Sequence, residues 1–233
     1  MFAGTARYYD RIYAFKDYAG EVEKILSIAE RELQTDGRRL LDVACGTGLH
    51  LEQFKGRFEA EGLDLSPELL EIARERNPGL RFHQADMRTF ALDARYDLVT
   101  CLFSSIGYMV TLDDLHRAIA RMADHLVPGG LLLVEPWLTP EMWEPNTVHA
   151  LFIDEPELKI ARVNTSLTEG HVSIFDLHHL IGTPEGTEHV VEHHELGLYT
   201  VEEMTEAFRA AGLDVQHDPE GLTGRGLHVA SKP

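Results

Sequence analysis

Leu40-Leu41-Asp42-Val43-Ala44-Cys45-Gly46-Thr47-Gly48-Leu49-His50-Leu51 is an apolar run that meets an acid, then a glycine-punctuated turn, then the start of a helix-like segment. It reads as a buried strand, a tight loop and a helix start. Gly46 and Gly48 allow positive φ and let the backbone come close to a ligand. In open α/β sheets, ligands bind beyond the carboxyl ends of the strands. The stretch therefore predicts a nucleotide or cofactor site early in the chain.

Working outward, strand and helix patterns alternate. Upstream, Val22, Ile25, Leu26, Ala29 and Leu33 recur at helical spacing over residues 17–33. Downstream, residues 58–63 form a second strand ending in Asp64, and Ser66-Pro67 opens a helix to Arg76. Residues 80–85 and 96–102 are the third and fourth strands. Thr111 caps a helix carrying Leu115, Ile119, Met122 and Leu126. Val127-Pro128-Gly129-Gly130 reads as a tight turn before a fifth strand at 131–135. Five alternations imply a parallel sheet covered on both faces. From about 147 to 199 the helical pattern stops. Runs at 159–166, 172–180 and 189–198, separated by turn signals, predict an antiparallel meander of three or four strands inserted on the main sheet. Thr200-Val201-Glu202-Glu203 opens a last helix, and residues 213–217 and 226–230 complete the sheet. The expectation is one α/β domain over 1–233: a Rossmann-like seven-stranded sheet with an antiparallel β insertion at 147–199.

Composition narrows the function. The net charge is −18, from 21 cations and 39 acids, and the largest cation cluster is Arg38-Arg39. Such a chain repels phosphate backbones, so nucleic acid is not expected as a partner. No apolar run approaches the ~20 residues of a membrane span. Residues 1–7 lack the pattern of a signal peptide, so the expected location is cytoplasmic. The two cysteines, Cys45 and Cys101, fall in no CxxC motif and read as small semi-buried residues. Six histidines fall between 171 and 194, but none is in a ligand-like spacing, so no metal is expected. His178 and His179 point to opposite faces of their strand, and these histidines read as solvated strand-face residues.

The loop discriminates between cofactors. A dinucleotide fingerprint needs a third glycine where Leu51 stands. Asp64, at the end of the second strand, can accept from both hydroxyls of a ribose. Asp42 at the loop mouth holds the turn by accepting backbone N–H bonds, or faces a ligand ammonium. Asp86 at the end of the third strand can accept from an adenine amine, with the Met87 N–H beside a ring nitrogen. Ribose, adenine and ammonium without phosphate describe S-adenosylmethionine.

The segments 41–48, Gly62-Leu63-Asp64-Leu65-Ser66, Gln84-Ala85-Asp86-Met87 and Leu126-Val127-Pro128-Gly129-Gly130 resemble the ordered motifs of class I S-adenosylmethionine-dependent methyltransferases. A narrower resemblance runs along nearly the whole chain. Tyr9-Asp10, Tyr13, Lys16-Asp17-Tyr18, Phe103-Ser104-Ser105-Ile106-Gly107-Tyr108, Val134-Glu135-Pro136-Trp137 and Gly224-Arg225-Gly226-Leu227 look like the N,N-dimethyltransferases of TDP-linked amino sugars in desosamine and mycaminose biosynthesis. The resemblance implies a methyltransferase sheet, S-adenosylmethionine as cofactor, an amino-sugar nucleotide as acceptor, and a homodimer in which the β insertion makes contacts. The same cofactor residues would serve an oxygen or carbon acceptor, and a non-catalytic nucleotide-binding module would share the fold.

The expected cofactor residues are Tyr13, Tyr18, Asp42, Ala44, Gly46, Gly48, Asp64, Leu65, Asp86, Met87, Phe103 and Ser104. Tyr13, Ser105 and Tyr108 are expected at the reacting amine. Tyr9, Trp137 and Arg225 are expected on the acceptor, with Arg225 on its diphosphate. Displacement at a sulfonium methyl needs alignment more than a strong base, and no catalytic triad is expected.

Overall fold

The computed structural model describes residues 4–233. The N-terminal signal reading rests partly on residues 1–3, which lie outside the described residues.

The chain opens with a short helix α1 (Tyr9–Ile12) and then α2 (Tyr18–Glu32), capped by the Asp17 carboxylate accepting from the Gly20 N–H at 2.9 Å. There follow β1 (Arg39–Val43), α3 (Leu49–Gln53), β2 (Glu59–Asp64), α4 (Pro67–Arg76), β3 (Arg81–Gln84) and β4 (Tyr96–Cys101). Next come α5 (Leu112–Asp124) and β5 (Leu126–Val134). A meander of β6 (Val148–Glu155), β7 (Leu158–Glu169), β8 (Val172–Thr183) and β9 (Gly186–Gly197) precedes α6 (Val201–Ala210), β10 (Asp214–Asp218) and β11 (Leu227–Ser231).

The main sheet has the order β10-β11-β5-β4-β1-β2-β3, with β1 to β5 parallel and β11 antiparallel to both its neighbours. Two apolar layers sandwich it. Leu40, Leu98 and Leu131 pack under α2, α3 and α4, while Leu41, Val99 and Leu132 pack under α5 and α6. Alternate residues of a strand face opposite sides, so a two-sided core demands the near-continuous apolar runs that marked these strands.

Three details differ from expectation. The fifth strand begins at Leu126, because Val127-Pro128-Gly129-Gly130 stays in the sheet with a register irregularity between Tyr96 and Leu98 and Gly129 at φ +78°. The meander forms its own four-stranded sheet, order β6-β7-β8-β9, and not an extension of the main one. Its first strand, β6, had no name among the expected runs. Its Val148 and Phe152 point outward and are 69% and 73% exposed, while Ile153 on the other face packs against the Ile160 and Ile181 cluster.

The insertion's inner face meets the N-terminal segment, with Tyr8 and Ile12 packing on Ile160 and Ile181. The aromatic segment is thereby held between the two sheets.

Candidate cofactor and acceptor site

The order of strands reverses between β1 and β4, which place Val43 and Cys101 at adjacent carboxyl ends. A crevice opens at such a switch point. Here a cleft lies beyond those ends, lined by Tyr9, Tyr18, Asp42, Ala44, Gly46 and Phe103, with Thr47, His50 and Ser105 beside them. It holds about 360 Å³ counting its open mouth, within the range of small-molecule sites.

Asp42 is the buried charge of this cleft. It is 1% exposed, and its Oδ1 accepts from the Thr100 hydroxyl of the neighbouring strand at 2.8 Å. Its Oδ2 is buried without a hydrogen-bond partner among the described residues. Burial raises its carboxyl to about 6, against the nearby His50 and the Thr100 hydroxyl, which favour the charged form. The expected role of accepting loop N–H bonds is thus filled by a hydroxyl instead, and one oxygen is left over. That orphaned oxygen suits a cation such as an ammonium.

Asp64 does hold the loop. It accepts from the Gly46 N–H at 2.8 Å and the Ser66 N–H at 2.9 Å, and burial, the larger effect, raises its carboxyl despite those bonds. Lone pairs remain on both oxygens for ribose hydroxyls. Gly46 and Gly48 turn out to differ. A Cβ on Gly46 (φ +55°) would meet nothing within 4 Å, whereas one on Gly48 (φ +76°) would lie 2.6 Å from Asn77 Nδ2. Gly46 opens on the cleft, and the missing side chain of Gly48 allows α3 to seat against α4.

The loop after β4 holds strained backbone, with Phe103 and Ser104 at φ +52° and +63°, opposite Ala44 at +59°. Each costs about 1–2 kcal/mol for a non-glycine residue. Glu135, fully buried, holds the bend: its Oε2 accepts from the Phe103 N–H at 2.7 Å and its Oε1 from the Thr223 hydroxyl at 2.5 Å. Ser104 faces away from the cleft. Its hydroxyl donates to Pro136 O and accepts from Arg225 Nη1, both at 2.8 Å. The hydroxyl thereby positions Arg225.

The aromatic flap closes the other side. Tyr13 sits edge-on to Phe103 at 5.2 Å and 4.7 Å from Tyr9, and its hydroxyl accepts from Arg162 Nη1 at 3.4 Å. Burial keeps the Tyr9, Tyr13, Tyr18 and Tyr108 phenols neutral by pushing each one up. Asp10 pins the flap to the glycine loop, accepting from the Thr47 hydroxyl at 2.7 Å and pairing with Arg76. Lys16 lies 4.4 Å over Phe103 and pairs with buried Glu21, which also meets His50 Nε2 at 2.8 Å.

The remaining expected residues divide. Trp137 packs 5.1 Å under the Arg225 guanidinium and donates from Nε1 to Ser173 of β8 at 2.9 Å. Tyr108 bonds His194 of β9 at 2.9 Å. Leu65 is 60% exposed beyond β2, and Met87 packs at the edge of the core. Asp86 is turned to Arg88, whose guanidinium holds its carboxyl below the usual range, and Arg88 continues to Asp114 at 3.0 Å. None of these five residues lines the cleft.

Lys16, Glu21, His50, Arg162, Glu192 and His194 lacked any expected role. They come from the flap, α2, α3, β7 and β9; Glu192 and His194 share one face of β9, and no local spacing connects the others. The histidines of the insertion are not uniformly solvated: His179 and His194 are 1% and 3% exposed. Burial lowers His179. Among the described residues no group of three or more metal-ligating side chains exists. Burial raises both thiols, which leaves Cys45 and Cys101 inert.

Comparison with known proteins bears on this geometry. Residues 40–130 match the methyltransferase domain family. A Streptomyces fradiae dTDP-3-amino-3,6-dideoxy-alpha-D-glucopyranose N,N-dimethyltransferase is 40% identical over 226 residues, 95% of this chain and 88% of the relative. The chain belongs to the family of the amino-sugar N,N-dimethyltransferases. It is a family of S-adenosylmethionine-dependent methyltransferases, and the chain is an enzyme of that class. The crystal structure of Streptomyces venezuelae DesVI superposes with a TM-score of 0.92 at 38% identity, covering 99% of each chain. A SAM-bound amino pentose methyltransferase from Micromonospora echinaspora follows at 0.84 and 40%, covering 94% of this chain and 92% of that one. The expected methyltransferase sheet is the one observed. No helix among the described residues is long and apolar enough to cross a membrane.

Proposed function

We propose that this protein methylates the amine of a nucleotide-linked amino sugar, with S-adenosylmethionine in the switch-point cleft. The unpartnered, buried Oδ2 of Asp42 supports this most directly, because it demands a cation just where the strands end. In this reading Asp42 takes the methionine ammonium, Gly46 and Ala44 follow its backbone, and Asp64 with Leu65 takes the ribose. Asp86 and Met87 take the adenine, which requires Asp86 to share its carboxylate with Arg88. Tyr13, Tyr18 and Phe103 enclose the sulfonium, whose charge their ring faces tolerate.

The cofactor supplies an already activated methyl, and the chain supplies alignment. Ser105, at the cleft, and Tyr108 present the amine; Tyr13 orients it through a neutral phenol. Tyr9 and Trp137 pack on the sugar nucleotide. Arg225, stacked on Trp137 and fixed by Ser104, takes a phosphate, with Arg162 on the far side of Tyr13. The meander at 147–199 then acts as part of a single catalytic domain, roofing the acceptor.

A homodimer accompanies this reading. Phe152, Val163, Leu180 and Val191 are 73%, 41%, 52% and 47% exposed, and the pairings Phe152↔Ala161, Ala161↔Leu180, Val163↔His178 and His178↔Val191 place them side by side across the insertion's outer face. Such a patch suits a second copy. The reading also keeps the enzyme in the cytoplasm, where its nucleotide substrate would be found.

The test is a radiolabelled methyl-transfer assay against amino-sugar nucleotides, phenols and carboxylic acids. Transfer confined to the amines supports the proposal. Preferred transfer to a phenol or an acid overturns it, and absence of S-adenosylmethionine binding at millimolar concentration would sink the enzyme altogether.

A further inference from the structure

Lys16 is a cation with almost no solvent around it. Its side chain is 3% exposed, and it pairs with Glu21 of α2, whose side chain is 6% exposed. Lysine is almost never buried unless something holds its charge. Glu21 is itself held, because its other oxygen meets His50 Nε2 at 2.8 Å. Burial pushes the Glu21 carboxyl up, but the hydrogen bonds from His50 and Lys16 outweigh it and keep the carboxyl below its usual range. The Lys16 ammonium is thereby fixed in place.

That place borders the cleft. Lys16 Nζ lies 4.4 Å from the centre of the Phe103 ring and 5.4 Å from that of Tyr18. Both rings line the cleft, Phe103 from the loop after β4 and Tyr18 from the start of α2. The Tyr18 ring meets His50 edge-on at 4.8 Å, and His50 is a third lining residue. His50 is also the neighbour that favours the charged form of Asp42. A line of neighbours thus runs from Asp42 through His50 and Glu21 to Lys16. Among the described residues, the lining itself holds no lysine or arginine. Arg76 approaches the same loop, but it is engaged by the Thr47 carbonyl and by the Asp10 and Glu52 carboxylates.

An amino acid carries its ammonium and its carboxylate on one carbon. A site that takes the ammonium on Asp42 needs a cation close by for the carboxylate, because an unpaired carboxylate out of water is costly. We propose that Lys16 is that cation: it binds the α-carboxylate of the methionine moiety of S-adenosylmethionine, while Glu21 and His50 hold it in position. The inference rests on the cofactor reading above. An ammonium has three N–H donors, and Lys16 uses one on Glu21, so two remain for a second carboxylate. The face of Phe103 beside the ammonium supports its charge when water is excluded. Lys16 belongs to the flap and Asp42 to β1, so the methionine end of the cofactor ties the flap to the main sheet.

The test is calorimetric titration of the full chain with S-adenosylmethionine and with its decarboxylated analogue, which keeps the ammonium, sulfonium and adenosine. The wild type should prefer the carboxylate-bearing ligand by about 10- to 100-fold. Lys16→Met should reduce that preference to about threefold or less, and should bind the decarboxylated analogue as the wild type does. Lys16→Arg should retain part of the preference. Asp42→Asn should weaken both ligands and leave the preference in place. Lys16→Met strands Glu21 without its cation, so Lys16→Met/Glu21→Gln is measured beside it and carries the test if the single variant fails to fold. A variant lacking Lys16 that keeps the wild-type preference, or a wild type that binds the two ligands equally, overturns the assignment and leaves the cofactor reading intact. If the wild type binds neither ligand at millimolar concentration, the cofactor reading fails and the assignment with it.

Discussion

Asp42→Asn tests the core of the cofactor site. The carboxyl of Asp42 lies at about 6 in the free protein because burial opposes its charge and Oδ2 has no partner. At pH 7 about a tenth of the sites are protonated, and at pH 5 about nine tenths. An ammonium binds only the ionised form, so affinity for S-adenosylhomocysteine should fall about tenfold between pH 7 and pH 5. Replacing the carboxylate by an amide removes a charge-assisted bond worth about 1.5–3 kcal/mol, roughly a 10- to 150-fold loss at pH 7. It also removes the part of the pH slope that belongs to Asp42. Stability runs the other way. The folded value exceeds the unfolded one near 3.9, so the native state holds the extra proton between them. Ligand-free wild type should therefore lose stability, relative to Asp42→Asn, as pH rises from about 4 to 6, by up to about 3 kcal/mol. Isothermal titration calorimetry at pH 5, 6 and 7, with thermal unfolding of both proteins, measures both effects. An Asn variant that binds with wild-type affinity, or that keeps the full wild-type slope, would refute the reasoning.

Gly48→Ala should destabilise the fold more than Gly46→Ala in urea denaturation. Both pay the left-handed backbone cost of about 1–2 kcal/mol, but only the first also displaces buried Asn77. Arg225→Ala should raise the Michaelis constant for a nucleotide sugar and leave the cofactor dissociation constant unchanged; an unchanged Michaelis constant means that Arg225 meets no phosphate. Asp10→Ala frees the flap from Thr47 and Arg76, and should weaken cofactor binding by about 1–2 kcal/mol without moving the urea midpoint of the main sheet by a comparable amount. Phe152→Asp places a charge in the exposed strand face and should convert a dimer to a monomer in light scattering. A monomeric wild type, or a dimeric variant, counts against that face as the interface.

Where one segment carries a feature from end to end, the sequence was informative. Leu40 to Val43 alternate toward two cores, Thr200 and Glu203 cap α6 reciprocally at 3.1 and 2.9 Å, and Ser66 with Pro67 starts α4. These are local consequences of side-chain period and of the backbone groups left open at helix ends. The glycine loop was legible for the same reason. Its third position, Leu51, is buried in the core.

The sequence by itself determined the order of strands and helices, the acids at three strand ends, and an aromatic segment at the start. It did not separate Gly46 from Gly48, because their backbone demands are alike and only the position of α4 makes one a packing site. It placed Ser104 at the cleft, while the fold turns that hydroxyl to Pro136 and Arg225. It read the insertion's histidines as a solvated set, while the fold buries His194 against Tyr108, 86 residues earlier. The physical reason is common to these cases. A propensity or a period constrains the few residues around it, whereas the partner of a side chain is chosen by whichever distant element the core packing brings within about 3 Å. Which residues meet over the opening loop was therefore decided by the tertiary structure.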